Sequence, residues 1–305
     1  MYKSIIPALL LCVLSVFGCA SATSSAKPAT VAAENEKTPV ETEKDTKMTR
    51  AGELYYMGLN AINHRNMKEA EDDLKQAAEL SPESYNIRMT LAKVYEEKQD
   101  KLRAIEQYRA AIGIKKEIPS AYYGLTGLYI GMDLYKNALD VCEEALKNGV
   151  PDSAVATDMG WIYYLAGDLN KAEERLRAAK ELDPKDTAPR HDLGLTLFEL
   201  GKYEEALKNF QEVLEMNPQS ILMPYYIALT YKKLGDEAKA LDALREGLKK
   251  DPELPDKAEF YNLKYFPHTN PGDLTSYFEK LKAEKAETEK AEKPEDAGKA
   301  EKTEK

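Results

Sequence analysis

Residues 187–220 read TAPRHDLGLTLFELGKYEEALKNFQEVLEMNPQS, and two helical stripes can be laid along them. Arg190, Leu193, Gly194 and Leu197 follow the spacing i, i+3, i+4, i+7 and share one face of a first helix. Ala206, Phe210 and Val213 make the matching stripe of a second helix. Gly201 lies between them, where a left-handed turn suits glycine, and Pro218 ends the segment. The small Gly194 and Ala206 let the two axes approach closely, while Leu193, Leu197 and Phe210 fill the space around that contact. One such hairpin cannot bury its apolar face alone, so it requires neighbours of the same kind.

The neighbours are present. The alanine at 206 recurs as Ala70, Ala104, Ala138, Ala172 and Ala240, every 34 residues without insertion or deletion. The units therefore run 51–84, 85–118, 119–152, 153–186, 187–220 and 221–254. The seventh place of each unit is Met57, Leu91, Leu125, Met159, Leu193 and Ile227; the eighth is Gly58, Ala92, Thr126, Gly160, Gly194 and Ala228. A single period held over six units marks a repeat architecture. The pattern resembles the tetratricopeptide repeat family over residues 51–254. The resemblance implies an all-α fold, a right-handed α-solenoid of six helix hairpins that binds protein partners. The fourth place, often Trp in that family, is Leu54, Arg88, Tyr122, Ala156, Arg190 and Pro224 here. Beyond Pro252 a seventh first helix begins (Ala258, Tyr261, Tyr265) and is stopped by Pro267 and Pro271. A last amphipathic helix then carries Leu274, Tyr277, Phe278 and Leu281. Residues 255–282 are expected to cap the open end.

The two ends of the chain are built differently. Lys3 precedes an uncharged apolar run, Ile5–Phe17, too short to span a bilayer and of the right length for a signal segment. The run ends in Val16-Phe17-Gly18-Cys19, which resembles the lipobox of bacterial lipoproteins, although Phe17 is bulkier than usual there. Residues 1–18 would then be the signal peptide and Cys19 the acylated, membrane-anchored residue; the alternative is an ordinary signal peptide with an incidental cysteine. Ala20 after the cysteine implies, on the same resemblance, the outer membrane, facing the periplasm. Residues 19–50 lack aromatics and almost all branched aliphatics, so a disordered tether is expected, with a reach of roughly 30 Å. Residues 283–305, mostly Lys, Glu, Ala and Thr, are expected to be a solvated, disordered tail with a partly helical start.

In tetratricopeptide solenoids the inner surface is lined by the second, fifth, ninth, twelfth and thirteenth places. Carried onto this chain, the resemblance points to Tyr55, Leu59, Met89, Tyr123, Trp161, Tyr164, His191, Phe198 and Tyr225 as a partner-binding groove. Aromatic side chains bring large contact area with few rotors to freeze. The other reading of the same places is packing between neighbouring first helices. The Lys and Asn that hold a terminal carboxylate in some relatives are replaced in the first unit by Tyr55 and Leu59, so a hydrophobic partner segment fits better.

Other functions find little support. With 43 Lys+Arg against 53 Asp+Glu the formal charge is −10, the wrong sign for gripping phosphates. No catalytic motif is present, and no cofactor or metal site is expected. The three histidines are scattered; His191 and Asp192, though adjacent, point about 100° apart on a helix and need not meet. Cys142 falls in a core column and is expected to be inert. The sequence therefore suggests a non-catalytic, membrane-anchored scaffold for a protein or peptide of the bacterial cell envelope. Its plan is similar to the pilotin lipoproteins of type IV pilus systems; an adaptor for cell-wall or outer-membrane assembly enzymes, or self-association, are the alternatives.

Overall fold

The computed structural model describes residues 39–266 and 274–291. Two compact units divide the chain, Met1–Lys44 and Asp45–Lys305; of the first, the described part is residues 39–44. The signal segment, the lipobox and Cys19 lie outside the described residues.

The described residues form fourteen α-helices and no strand. The first helices of the hairpins are α1 (Pro39–Asn63), α3 (Tyr85–Glu97), α5 (Pro119–Ile130), α7 (Asp152–Leu165), α9 (Ala188–Glu199) and α11 (Leu222–Leu234). Their partners are α2 (Met67–Leu80), α4 (Lys101–Ile114), α6 (Tyr135–Lys147), α8 (Leu169–Leu182), α10 (Tyr203–Met216) and α12 (Glu237–Lys250). Helices α13 (Leu254–Tyr265) and α14 (Thr275–Ala291) follow. Six hairpins stand where the period placed them.

The repeat columns explain the packing. All six column alanines, from Ala70 to Ala240, are fully buried, as are Leu74, Leu176, Phe210 and Leu244 one turn further along the same helices. The seventh place is buried in five units, but Met57 in the first is 47% exposed; among the described residues no hairpin precedes it. The turns repeat too. Arg65, Gln99, Asp133, Gly167, Gly201 and Gly235 share one place in the unit, and all have φ between 57° and 81°. Next to them Asn66, Asp100, Asp168 and Asp236 accept the backbone N–H of Glu69, Arg103, Lys171 and Lys239. Each such cap contributes about 1 kcal/mol. Leu134 and Lys202 occupy that place in the other two units and make no such cap.

Helices extend beyond the repeats at both edges. Helix α1 starts at Pro39, within the stretch expected to be a disordered tether, although residues 43–50 are exposed. The packed turns from Ala51 onward supply a nucleus, and extending an existing helix costs far less than starting one. Helix α14 likewise continues to Ala291, into the expected tail. It is pinned by Arg245 to Glu284 (2.7 Å) and Lys280 to Glu237 (2.9 Å).

The closeness of the helix pairs makes one substitution change sign with position. A Cβ added at Gly194 would sit 2.5 Å from Cε1 of the buried Phe210 ring, whereas one at Gly52 meets nothing within 4 Å. Alanine gains about 1 kcal/mol in helix propensity at either site, but overpacking costs about 1–3 kcal/mol. Gly194→Ala should therefore lower the urea midpoint and Gly52→Ala raise it. Equal shifts in both variants would show that Phe210 can move aside.

Candidate functional site

The inner stripe falls into two halves. On α1, α3 and α5, Tyr55, Leu59 and Met89 are half-buried, and Tyr123 is 41% exposed. One turn after Tyr123 comes Gly127, itself exposed, where an added Cβ would touch nothing within 4 Å. Trp161 on α7 is half-buried and stacks on Tyr164, with centroids 5.2 Å apart and planes 21° apart. In this half the open space lies at Tyr123 and Gly127, while Tyr55, Met89 and Trp161 rest partly on the core.

The second half is closed by the chain itself. Tyr164, Phe198 and Tyr225 were expected to face a partner, yet they are 0%, 3% and 0% exposed. The end of α13 and Phe266 lie over them. The Phe266 ring is 4.9 Å from Phe198 and 5.7 Å from Tyr226. The Tyr164 hydroxyl reaches both the Glu199 carboxylate (3.0 Å) and the Tyr265 carbonyl; burial, then that carboxylate, holds its phenol in the protonated form. The Tyr225 hydroxyl donates to Asn262 Oδ1 at 2.7 Å. Apolar rings gain roughly 25 cal/mol per Å² on leaving water, and here α13 covers them. These three residues belong to the core.

His191 lies at the border, half-buried, with Tyr226 at 5.8 Å and Tyr265 at 5.9 Å. Its Nδ1 is 2.7 Å from Asp192 Oδ1, so the adjacent pair expected to point apart does meet through rotation of the two side chains. Tyr226 escaped the sequence reading because it sits one place after the groove column. It is fully buried and is the hub of the aromatic cluster, touching Phe210, Tyr225, Tyr265 and Phe266.

Asp158 on α7 is half-buried and forms no ion pair among the described residues. Burial, then repulsion from Asp192, pushes its carboxyl up to about 7. Burial pushes the Cys142 thiol up to about 12, which keeps it protonated and unreactive at neutral pH. Among the described residues no cluster of three His, Cys, Asp or Glu side chains could hold a metal, and no helix is long and apolar enough to cross a membrane.

A stack of α-hairpins with an aromatic inner stripe defines a scaffold for protein–protein interaction. Tetratricopeptide repeat profiles match residues 55–121 and 197–264, and a profile described as anaphase-promoting complex, cyclosome, subunit 3 matches residues 131–213. The chain belongs to the tetratricopeptide repeat family. Among solved structures it is similar to Pseudomonas aeruginosa pilF: 18% identity, TM-score 0.54, covering 72% of this chain and 98% of that one. A tetratricopeptide repeat protein of Parabacteroides merdae matches at 17% identity with TM-score 0.56, over 66% and 80% of the two chains. A chain of the APC/C hetero-tetramer Cut9–Hcn1 matches at 17% and 0.51, over 71% of this chain and 44% of that one. These likenesses show the fold. No curated protein matches.

Proposed function

We propose that the protein is a lipid-anchored scaffold that holds an apolar segment of a cell-envelope protein in the open half of its inner stripe, from Tyr55 to Trp161. The observation that carries this is Tyr123, an aromatic left 41% exposed beside the unfilled space at Gly127. Leaving such a ring in water forgoes a hydrophobic gain that a partner would recover. Anchoring rests on the Val16–Cys19 motif; each acyl methylene buried contributes about 0.8 kcal/mol, so two or more chains hold firmly. The outer membrane, facing the periplasm, is the address that Ala20 supports.

A photoreactive residue at Tyr123 in the full-length chain should trap an envelope protein in the membrane fraction. Tyr123→Ala should weaken capture of that protein about tenfold or more without loss of helicity; trapping that is absent, or indifferent to Tyr123→Ala, would sink the reading. The six-hairpin plan behind a lipobox also suits a pilotin-like assembly factor. Loss of secretin multimers on deletion would support that role, and altered cell-wall hydrolysis would support an adaptor for wall-assembly enzymes.

A further inference from the structure

A cleft of about 310 Å³ lies between the first and second hairpins, lined by Lys75, Glu79, Arg88, Tyr95 and Gln107 among others. None of its residues belongs to the inner stripe. Its meaning emerges from the same junction three units further on. There Arg190 occupies the place of Arg88, and its Nε donates to Glu212 Oε2 at 3.2 Å. Lys180 Nζ donates to the same oxygen at 2.6 Å and to Asn209 Oδ1 at 3.0 Å. Arginine and lysine thus converge on one carboxylate, while the Asn209 amide accepts from the lysine and donates to the Glu205 carbonyl.

At the first junction the cation is kept and the carboxylate is missing. Gln107 stands in the place of Asn209, but Ala78 replaces the lysine and Ala110 replaces Glu212. Arg88 donates through Nη1 to Gln107 Oε1 (3.0 Å) and through Nε to the Pro82 carbonyl (3.3 Å). It forms no ion pair among the described residues. Lys75 comes no nearer a carboxylate than 3.9 Å, at Glu71. The cleft therefore holds the Arg88 guanidinium, Lys75 and the Gln107 amide, with no carboxylate at the place that Glu212 fills in the fifth unit.

We propose that this cleft binds a carboxylate ligand, with Arg88 as its anchor and Gln107 and Lys75 as further donors. Two cations face one anion, Glu79, so the cleft takes one or two carboxylate groups rather than a dense polyanion. Its volume is at the small end of the range for ligand pockets, about 300–1,000 Å³. Guanidinium–carboxylate pairing with a planar fork supplies geometric selectivity over chloride.

Calorimetric titration of the full chain at low ionic strength tests this with two probes: glutarate, a free dicarboxylate, and acetyl-Glu-Glu-amide, which carries the same group on a peptide. Saturable binding of glutarate identifies a small-molecule site. Binding of the peptide alone assigns the site to acidic side chains of a partner. Arg88→Gln should weaken binding about tenfold or more. Ala110→Glu should abolish it while raising the thermal midpoint, because it restores in place the carboxylate that Glu212 provides elsewhere. That second variant keeps the test valid should Arg88→Gln disturb the fold. Absence of binding by either probe at millimolar concentration, or binding that survives both substitutions, would overturn the proposal.

Discussion

Replacing Phe266 with alanine should uncover the C-terminal half of the inner stripe, at a cost of about 3–5 kcal/mol. The ring is 3% exposed and wedged against Phe198 and Tyr226, so truncation removes both burial and two aromatic contacts. In a solenoid each unit depends on its neighbours rather than on the whole, so the loss should be local. Hydrogen exchange should quicken in α13 and on the faces of α9 and α11 that bear Phe198, Tyr225 and Tyr226. It should not change in α2–α6. The Tyr164 and Tyr225 hydroxyls would lose the Tyr265 carbonyl and the Asn262 side chain, and both phenols would become able to meet a partner. Unchanged protection in α9 and α11 would mean that the aromatic cluster seals itself without α13. A wholesale drop in stability across α2–α6 would mean that the array is more cooperative than its nearest-neighbour packing implies.

How far the sequence could be read follows from what kind of force sets each feature. The six hairpins rest on periodic burial, which repeats 34 residues apart and is visible as columns; Ala70 and Ala240 needed no structure to be placed. The turn column was half legible. Gly167, Gly201 and Gly235 announce a left-handed turn, but Arg65, Gln99 and Asp133 adopt the same conformation because the hairpin geometry compels them, against their steric preference. The candidate groove was less legible still. Column position places Tyr123 and Tyr225 in equivalent spots, yet one is exposed and the other sealed. The difference comes from α13, whose Tyr261 and Asn262 lie against Tyr225, and from Phe266 beyond it, which reaches back to Phe198 and follows no repeat. Such a long-range, aperiodic contact leaves no trace in any local pattern. The missing carboxylate near Arg88 shows the converse: two units identical in one column, Arg88 and Arg190, differ in ion pairing because of Ala110 and Glu212 in another.

Asp158 should make the protein lose stability as the pH rises from about 4 to about 7. Its carboxyl is pushed up to about 7 from an ordinary value of 3.8, by burial and then by Asp192 on α9; Tyr123 on α5 and Cys142 on α6 also face it and bring no positive charge. Below about pH 4 the group is protonated in both the folded and unfolded chain, so it exerts no penalty. Between the two values the folded state keeps a proton that the unfolded state gives up, and stability falls as pH rises. Above about 7 the folded chain carries a poorly solvated anion, and the penalty is complete. A shift of this size corresponds to at most about 4 kcal/mol. Other carboxyls act in the opposite sense: burial works against them, but hydrogen bonds from Lys98, Lys202 and Lys180 hold those of Glu71, Glu173 and Glu212 low. Their stabilisation is present above their ordinary value and is lost on acidification, so the wild-type curve is a mixture. The difference between wild type and Asp158→Asn isolates the one group. In urea denaturation the variant should exceed wild type by about 2–4 kcal/mol at pH 8 and converge on it near pH 4. A constant difference across that range would show that Asp158 is ionised throughout, with water reaching it from the open half of the stripe. Convergence at low pH would instead mark it as the group that ties the folding of α7, and so the seating of Trp161, to the acidity of the surroundings.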